Sequence, residues 1–122
     1  MNKYRDKSDF DINKAVAEEL IQSGFIIGVE YHDKHILVRD KYANNYPFAP
    51  CNNPAVAMPI VIENKIAIAF SSNTGKWCAY AGYMMGDRGW DIYERPTISA
   101  FSDSYYRAAM ELFLIMKDVE NE

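Results

Sequence analysis

Residues 46–64 read Tyr46-Pro47-Phe48-Ala49-Pro50-Cys51-Asn52-Asn53-Pro54-Ala55-Val56-Ala57-Met58-Pro59-Ile60-Val61-Ile62-Glu63-Asn64, and four of the five prolines in the chain fall between Pro47 and Pro59. Each proline fixes its own φ and drives the residue before it toward extended backbone. Pro47, Pro50 and Pro54 also withhold an N–H from any ladder, so the stretch opens as a stiff, irregular connector. Its second half is ambiguous. Pro59-Ile60-Val61-Ile62 has strand-forming side chains, yet Asn53-Pro54 is a good helix entry and Asn64 a good exit. Pro59 argues against a central strand, so the expectation is a short helix ending near Asn64. Aromatic, amide and thiol groups crowd the connector. That mixture suits ligand recognition, and it suits equally well a rigid loop that sets the angle between two layers.

Two hairpins flank this stretch. Residues 25–31 are β-branched and aromatic, His32-Asp33-Lys34 makes a turn, and residues 35–39 return. Residues 66–70 alternate large and small apolar side chains, residues 71–75 are a polar turn, and residues 76–80 form the partner strand. Helices bound the chain. Ser8 caps a helix over residues 8–23, with Ile12, Ala15, Val16 and Leu20 at helical spacing and Gly24 just past its end. A second helix over residues 103–118 carries the broad apolar surface Ala109, Met110, Phe113, Leu114 and Met116. Hairpins with segregated helices predict an α+β fold in a single domain, residues 1–122. The expected form is a mainly antiparallel sheet of about four strands, with the N- and C-terminal helices packed on one face. Residues 81–99 read as a loop with an aromatic rim of Tyr83, Trp90 and Tyr93. The spacing of Gly82, Gly86 and Gly89 matches no nucleotide-binding glycine motif.

Composition narrows the function classes. The 122 residues carry 17 acidic and 13 basic side chains, for a net charge of −4. With no basic run, general nucleic-acid binding is disfavoured. The N-terminal residues are polar and show no apolar leader core, and no apolar run reaches the length of a membrane span. The two cysteines, Cys51 and Cys78, therefore read as reduced thiols of a cytoplasmic protein. Nine tyrosines, six phenylalanines and two tryptophans make 14% of the chain aromatic. Part of that is core, and part is available to furnish an interface or ligand site.

Chemistry-bearing clusters are sparse. His32 and His35 lack a third metal ligand at recognisable spacing and read as surface residues. Their pairing with Cys51 or Cys78 as nucleophile and base has no support in the spacing, and Glu30, Asp33 and Glu63 are scattered. Neither an enzyme nor a bound cofactor or metal is expected.

The landmarks nevertheless form a pattern. They are the early Ser8-Asp9-Phe10-Asp11-Ile12-Asn13-Lys14-Ala15-Val16-Ala17, the central Cys51-Asn52-Asn53-Pro54-Ala55, the run Met58-Pro59-Ile60-Val61-Ile62-Glu63-Asn64-Lys65-Ile66, and Arg107-Ala108-Ala109-Met110. In this order they resemble the NinX-like family of small tailed-phage proteins, a family of unknown function, over nearly the whole chain. Met58 stands where tryptophan is usual in that family, and Ser104-Tyr105-Tyr106 replaces a frequent Asn-Pro-Leu entry. The resemblance implies a phage accessory protein acting in the cytoplasm of the bacterial host, and supplies no reaction.

Within that frame the first expectation is a protein that binds, and so sequesters, a small nucleotide-like molecule such as a host defence signal. Asn52 and Asn53 offer amide donors and acceptors to a base edge, and Tyr46, Phe48 and Trp77 offer rings for stacking. Arg107, Arg88 or Arg95 would pair with phosphate. Arg107 near a helix start is poorly placed for the helix dipole, which favours an anion from outside. The plainer role for Asn52 and Asn53 is to cap the helix that follows. The alternative function is a protein–protein effector that inhibits a host protein through its Tyr-rich surface. Either function is compatible with a site shared between subunits of a homo-oligomer.

Overall fold

Ser8 starts the first helix of the computed structural model as the sequence predicts. The structure describes residues 2–81 and 98–121, together with the backbone of residues 85–86 and 89–90. Helix α1 spans Asp9–Gln22, and the Ser8 hydroxyl accepts the Asp11 N–H at 3.1 Å. Gly24 ends it at φ +85°, and the Phe25 N–H reaches back five residues to the Leu20 carbonyl at 3.1 Å. That is a Schellman closure, and a left-handed residue is what it requires. The buried face of α1 is Ile12, Asn13, Val16 and Ala17.

Strands β1 (Ile26–His32) and β2 (His35–Asp40) form the first antiparallel hairpin, with His32 opposite His35. Asp33 takes φ +45° in the two-residue turn, a conformation that aspartate tolerates. The connector contributes a third strand, β3 (Asn45–Pro47), which places Tyr46 opposite Val38 of β2. Pro47 is accommodated because β3 is an edge strand.

Helix α2 spans Pro54–Glu63 with Asn53 as its cap, the Asn53 side-chain oxygen accepting the Ala55 N–H at 3.0 Å. Pro54 occupies the first turn, where a missing N–H costs nothing. Lys65 closes the helix at φ +54°, as the Ile66 N–H bonds the Val61 carbonyl at 3.0 Å. A second hairpin follows, β4 (Ala67–Ser71) and β5 (Lys76–Ala81), with Phe70 opposite Trp77. Strands β6 (Met85–Gly86) and β7 (Gly89–Trp90) pair with each other. Strand β8 (Ile98–Ser102) adds to β5, putting Ala100 opposite Ala79. Helix α3 (Tyr105–Glu120) completes the chain, capped by Ser104.

The class is α+β, and one detail of the expected sheet is corrected. The two hairpins do not join. Each takes a third strand from elsewhere, giving separate sheets ordered β1-β2-β3 and β4-β5-β8. The inner edges of β2 and β5 are consumed by β3 and β8, so neither can pair with the other hairpin. The helices divide accordingly: α1 packs on β1 and β2, α3 packs on β5 and β8, and the two helices meet between the sheets.

Small side chains make the second contact close. Ala79, Ala81 and Ala100 of the sheet and Ala108 and Ala109 of α3 are all buried, while Met110, Leu112 and Phe113 fill the centre. Burial of each large side chain stabilises the fold by about 1.5–3 kcal/mol relative to exposure. The Phe113 ring has essentially no contact with solvent. Among the described residues no helix is long and apolar enough to cross a membrane.

Candidate functional site

A groove opens where the start of α1, the tip of the first hairpin and the connector meet. Its volume is about 530 Å³. Phe10 and Asn13 come from α1, His32, Lys34 and His35 from the hairpin tip, and Ile36 and Leu37 from β2. Pro47, Phe48, Ala49 and Asn52 of the connector close it. The size lies within the range that accommodates a small organic ligand. Its lining combines apolar walls, the amides of Asn13 and Asn52, and an edge of Lys34 and two histidines.

Local sequence explains how these groups are held. The prolines before and after Phe48 stiffen the connector, and the Phe48 N–H is tied to the Ile36 carbonyl at 2.8 Å. Phe48 itself is 2% exposed, so its ring is a fixed wall. Asn13 is buried on α1, and its side-chain oxygen accepts the Cys51 N–H at 2.9 Å. The tight hairpin turn presents Lys34 between two histidines, all three exposed. His32 also lies 3.7 Å from the Glu30 carboxylate.

Behind the groove lies a charged network. Asn52 donates from Nδ2 to Asp9 Oδ2 at 3.0 Å, and its oxygen receives a long hydrogen bond of 3.5 Å from Asn13 Nδ2. Asp9 Oδ1 in turn accepts from Arg107 Nη1 at 2.7 Å. Arg107 Nε donates to Glu111 Oε2 at 2.7 Å, and Nη2 donates to the carbonyls of Lys7 at 2.6 Å and Tyr4 at 3.0 Å. Glu111 is buried and also accepts from Asn2 Nδ2 at 2.6 Å. Burial would raise the Asp9 pKa, but hydrogen bonds from Arg107 and Asn52 and the Arg107 charge outweigh it and hold the carboxyl below its usual range. Burial alone would lower the Arg107 pKa, and its carboxylate partners raise it instead. Burial, reinforced by Asp9, pushes the Cys51 thiol up to about 12.

The residues singled out from the sequence are therefore dispersed. Asn52 and Phe48 line the groove. Asn53 spends its side chain on the α2 cap. Arg107, expected to meet an external anion, is engaged by two carboxylates and the backbone of the N-terminal segment. Its strange position for a helix dipole is explained by these internal partners. Tyr46 is half-buried on β3, where burial and then the Asp40 charge raise its pKa. Trp77 sits in the second sheet, edge to face with Phe70 at 5.3 Å and Tyr105 at 5.1 Å. Neither Tyr46, Asn53 nor Trp77 lines the groove. Arg88 and Arg95, with Tyr83, Tyr93 and the side chain of Trp90 from the expected aromatic rim, fall outside the described residues.

Sequence reasoning did not single out Phe10, Asn13, His32, Lys34 or His35 as ligand-binding. Asn13 carried a readable signal: it precedes Val16 and Ala17 by three and four positions, on the buried face of α1. A polar side chain there demands a partner.

A second groove of about 490 Å³ lies by the C-terminal ends of α1 and α2, against Phe25, Tyr42 and Phe113. Its rings already carry the protein's own cations, Lys41 over Phe25 and Tyr42 and Lys117 over Phe113. In the first groove, Lys34 and His35 are exposed at the edge, near Phe10 and the Asn13–Asn52 amide pair.

No curated protein and no solved structure matches the chain. A family model described as "Bacteriophage P22, NinX" matches residues 3–117. With nearly the whole chain covered, the protein belongs to this phage NinX family.

Proposed function

We propose that the protein binds, and so sequesters, a small nucleotide-like molecule in the groove between α1, the first hairpin and the connector, without changing it chemically. The observation that carries this reading is the grouping around one hollow of two aromatic rings (Phe10, Phe48), two amides (Asn13, Asn52) and a basic edge (His32, Lys34, His35). A planar base stacks on the partly open Phe10 ring against the Phe48 wall, its edge is read by amides, and its phosphate is drawn to the basic edge. Arg107 is left out of this site because its donors are spent internally. As a phage protein, it would act by sequestering the molecule, and a host defence signal is the natural class.

Isothermal titration calorimetry against mononucleotides, cyclic nucleotides and ADP-ribose-type molecules tests the proposal. The expected result is saturable heat with one class, abolished when Lys34→Glu reverses the edge charge. Absence of heat and of thermal shift across the panel would sink it. A second reading, a protein–protein effector, is favoured by the exposed Ile62 at 69% and Phe70 at 56%. Stoichiometric capture of one host protein, lost on Phe70→Ser, would select it.

A further inference from the structure

Which edge of a ligand the groove can read is set by its two amides, and the network behind them fixes how each amide is oriented. This inference rests on the reading of the groove as a nucleotide site and goes one step further. Asn52 faces Asp9, whose carboxylate is held ionised by Arg107 and can only accept. Asn52 must therefore turn Nδ2 toward Asp9, which leaves Oδ1 on its other side. Asn13 faces the backbone N–H of Cys51, which can only donate. Asn13 must therefore turn Oδ1 toward Cys51, which leaves Nδ2 on its other side. The two free ends meet at 3.5 Å, a hydrogen bond at the long limit and readily exchanged for better partners. Among the described residues, Asn13 Nδ2 has no other acceptor and Asn52 Oδ1 no other donor.

We infer that the groove presents a polarised pair, a donor from Asn13 beside an acceptor from Asn52, and that it selects a planar base edge on which an N–H adjoins an acceptor. An isolated Asn side chain can flip and read either polarity. Here a flip would set Asn52 Oδ1 against a carboxylate or Asn13 Nδ2 against an N–H, leaving like groups opposed. Asp9, Arg107 and the Cys51 N–H thus act as positioning groups, remote from the ligand but deciding what it must carry. A ligand whose N–H is blocked leaves the Asn52 oxygen without its partner, and sites built on hydrogen bonds reject such analogues strongly.

The experiment is a paired titration. AMP, CMP, GMP and UMP are measured by calorimetry beside N6,N6-dimethyl-AMP, N4,N4-dimethyl-CMP, N1-methyl-GMP and N3-methyl-UMP. For whichever base binds, methylation of the donor is expected to weaken binding about tenfold or more. In Asn52→Ala, which leaves the Asp9–Arg107 pair in place, the parent base should weaken and the penalty for methylation should fall to about twofold or less. Thermal melts of the variant confirm that it is folded. Equal affinity of the parent and methylated bases for the unmodified protein overturns the inference while the groove reading stands. Survival of the full methylation penalty in Asn52→Ala overturns it as well. If neither these eight probes nor the cyclic and ADP-ribose-type nucleotides bind, the nucleotide reading falls and this inference falls with it.

Discussion

Arg107 Nη1 lies 2.7 Å from Asp9 Oδ1, joining the first turn of α3 to the first turn of α1 across 98 positions of sequence. The same guanidinium holds Glu111 and the carbonyls of Tyr4 and Lys7, so one side chain fastens the N-terminal segment to the helical layer. Removing it leaves the buried Glu111 carboxylate without its cation. Arg107→Ala should cost about 3–5 kcal/mol, as expected when one member of a buried pair is deleted. Arg107→Lys keeps the charge but lacks the planar fork that reaches several acceptors at once, and should still cost about 1–3 kcal/mol. Urea denaturation measures both. A loss below about 1 kcal/mol for the alanine variant would mean that these contacts are incidental.

The Asp9 carboxylate gives the network a pH dependence of definite sign. Burial acts to raise its pKa, yet Arg107 and Asn52 together hold it below the unfolded value. A depressed folded pKa stabilises the protein above the unfolded pKa, near 4, and that contribution is lost as pH falls through the folded value. The stability gap between the unmodified protein and Asp9→Asn should be flat from about pH 5 to 8 and should shrink below about pH 4. The Asp9 side chain is 48% exposed, so solvent screening keeps the effect to about 1 kcal/mol or less. A gap that widens in acid would contradict the assignment.

The two thiols should separate by reactivity. Cys51 is 3% exposed and its thiol is pushed up to about 12, chiefly by burial, so almost no thiolate exists at neutral pH. Cys78 is half-buried, with burial raising its pKa as well. A thiol reagent at about pH 7.5 should label Cys78 slowly and Cys51 only after unfolding, read as one modification before denaturant and two after. Fast modification of Cys51 in the folded protein would reopen it as a nucleophile.

Where the fold was legible, the chemistry was local. Ser8, Gly24, Asn53 and Pro54 announce helix ends through their own chemistry, the first hairpin shows in its β-branched and aromatic run, and the second in the large–small apolar alternation of residues 66–70. Strand β3 was hidden because it is three residues long and contains Pro47. Strand β8 follows the glycine-interrupted stretch, and Ile98-Ser99-Ala100-Phe101-Ser102 shows no strict apolar–polar alternation, because the adjacent Ala100 and Phe101 are both apolar. The site divides in the same way. Phe48 and Asn52 stood out by belonging to the stiff connector. Phe10, Asn13 and the hairpin tip become part of the groove only through tertiary packing, as in the Asn13–Cys51 hydrogen bond that spans 38 positions. Arg107 looked available to a ligand because its partners at Tyr4, Lys7 and Asp9 are distant in sequence.

Phe10 and Trp77 give the groove its sharpest contrast. Both are partly buried aromatics packed against the core, so both truncations will cost stability. Only Phe10 lines the hollow, whereas Trp77 packs between Phe70 and Tyr105 on the second sheet. If a base stacks in the groove, Phe10→Ala should weaken its binding about tenfold or more, the amount typical of a lost base–ring contact. Trp77→Ala should leave affinity within about twofold while lowering stability by about 2–4 kcal/mol, since it removes a large ring from a row of edge-to-face contacts. Calorimetric titration at a temperature where both variants remain folded compares them directly. The reverse order, with binding lost on Trp77→Ala and kept on Phe10→Ala, would move the site from the first sheet to the second.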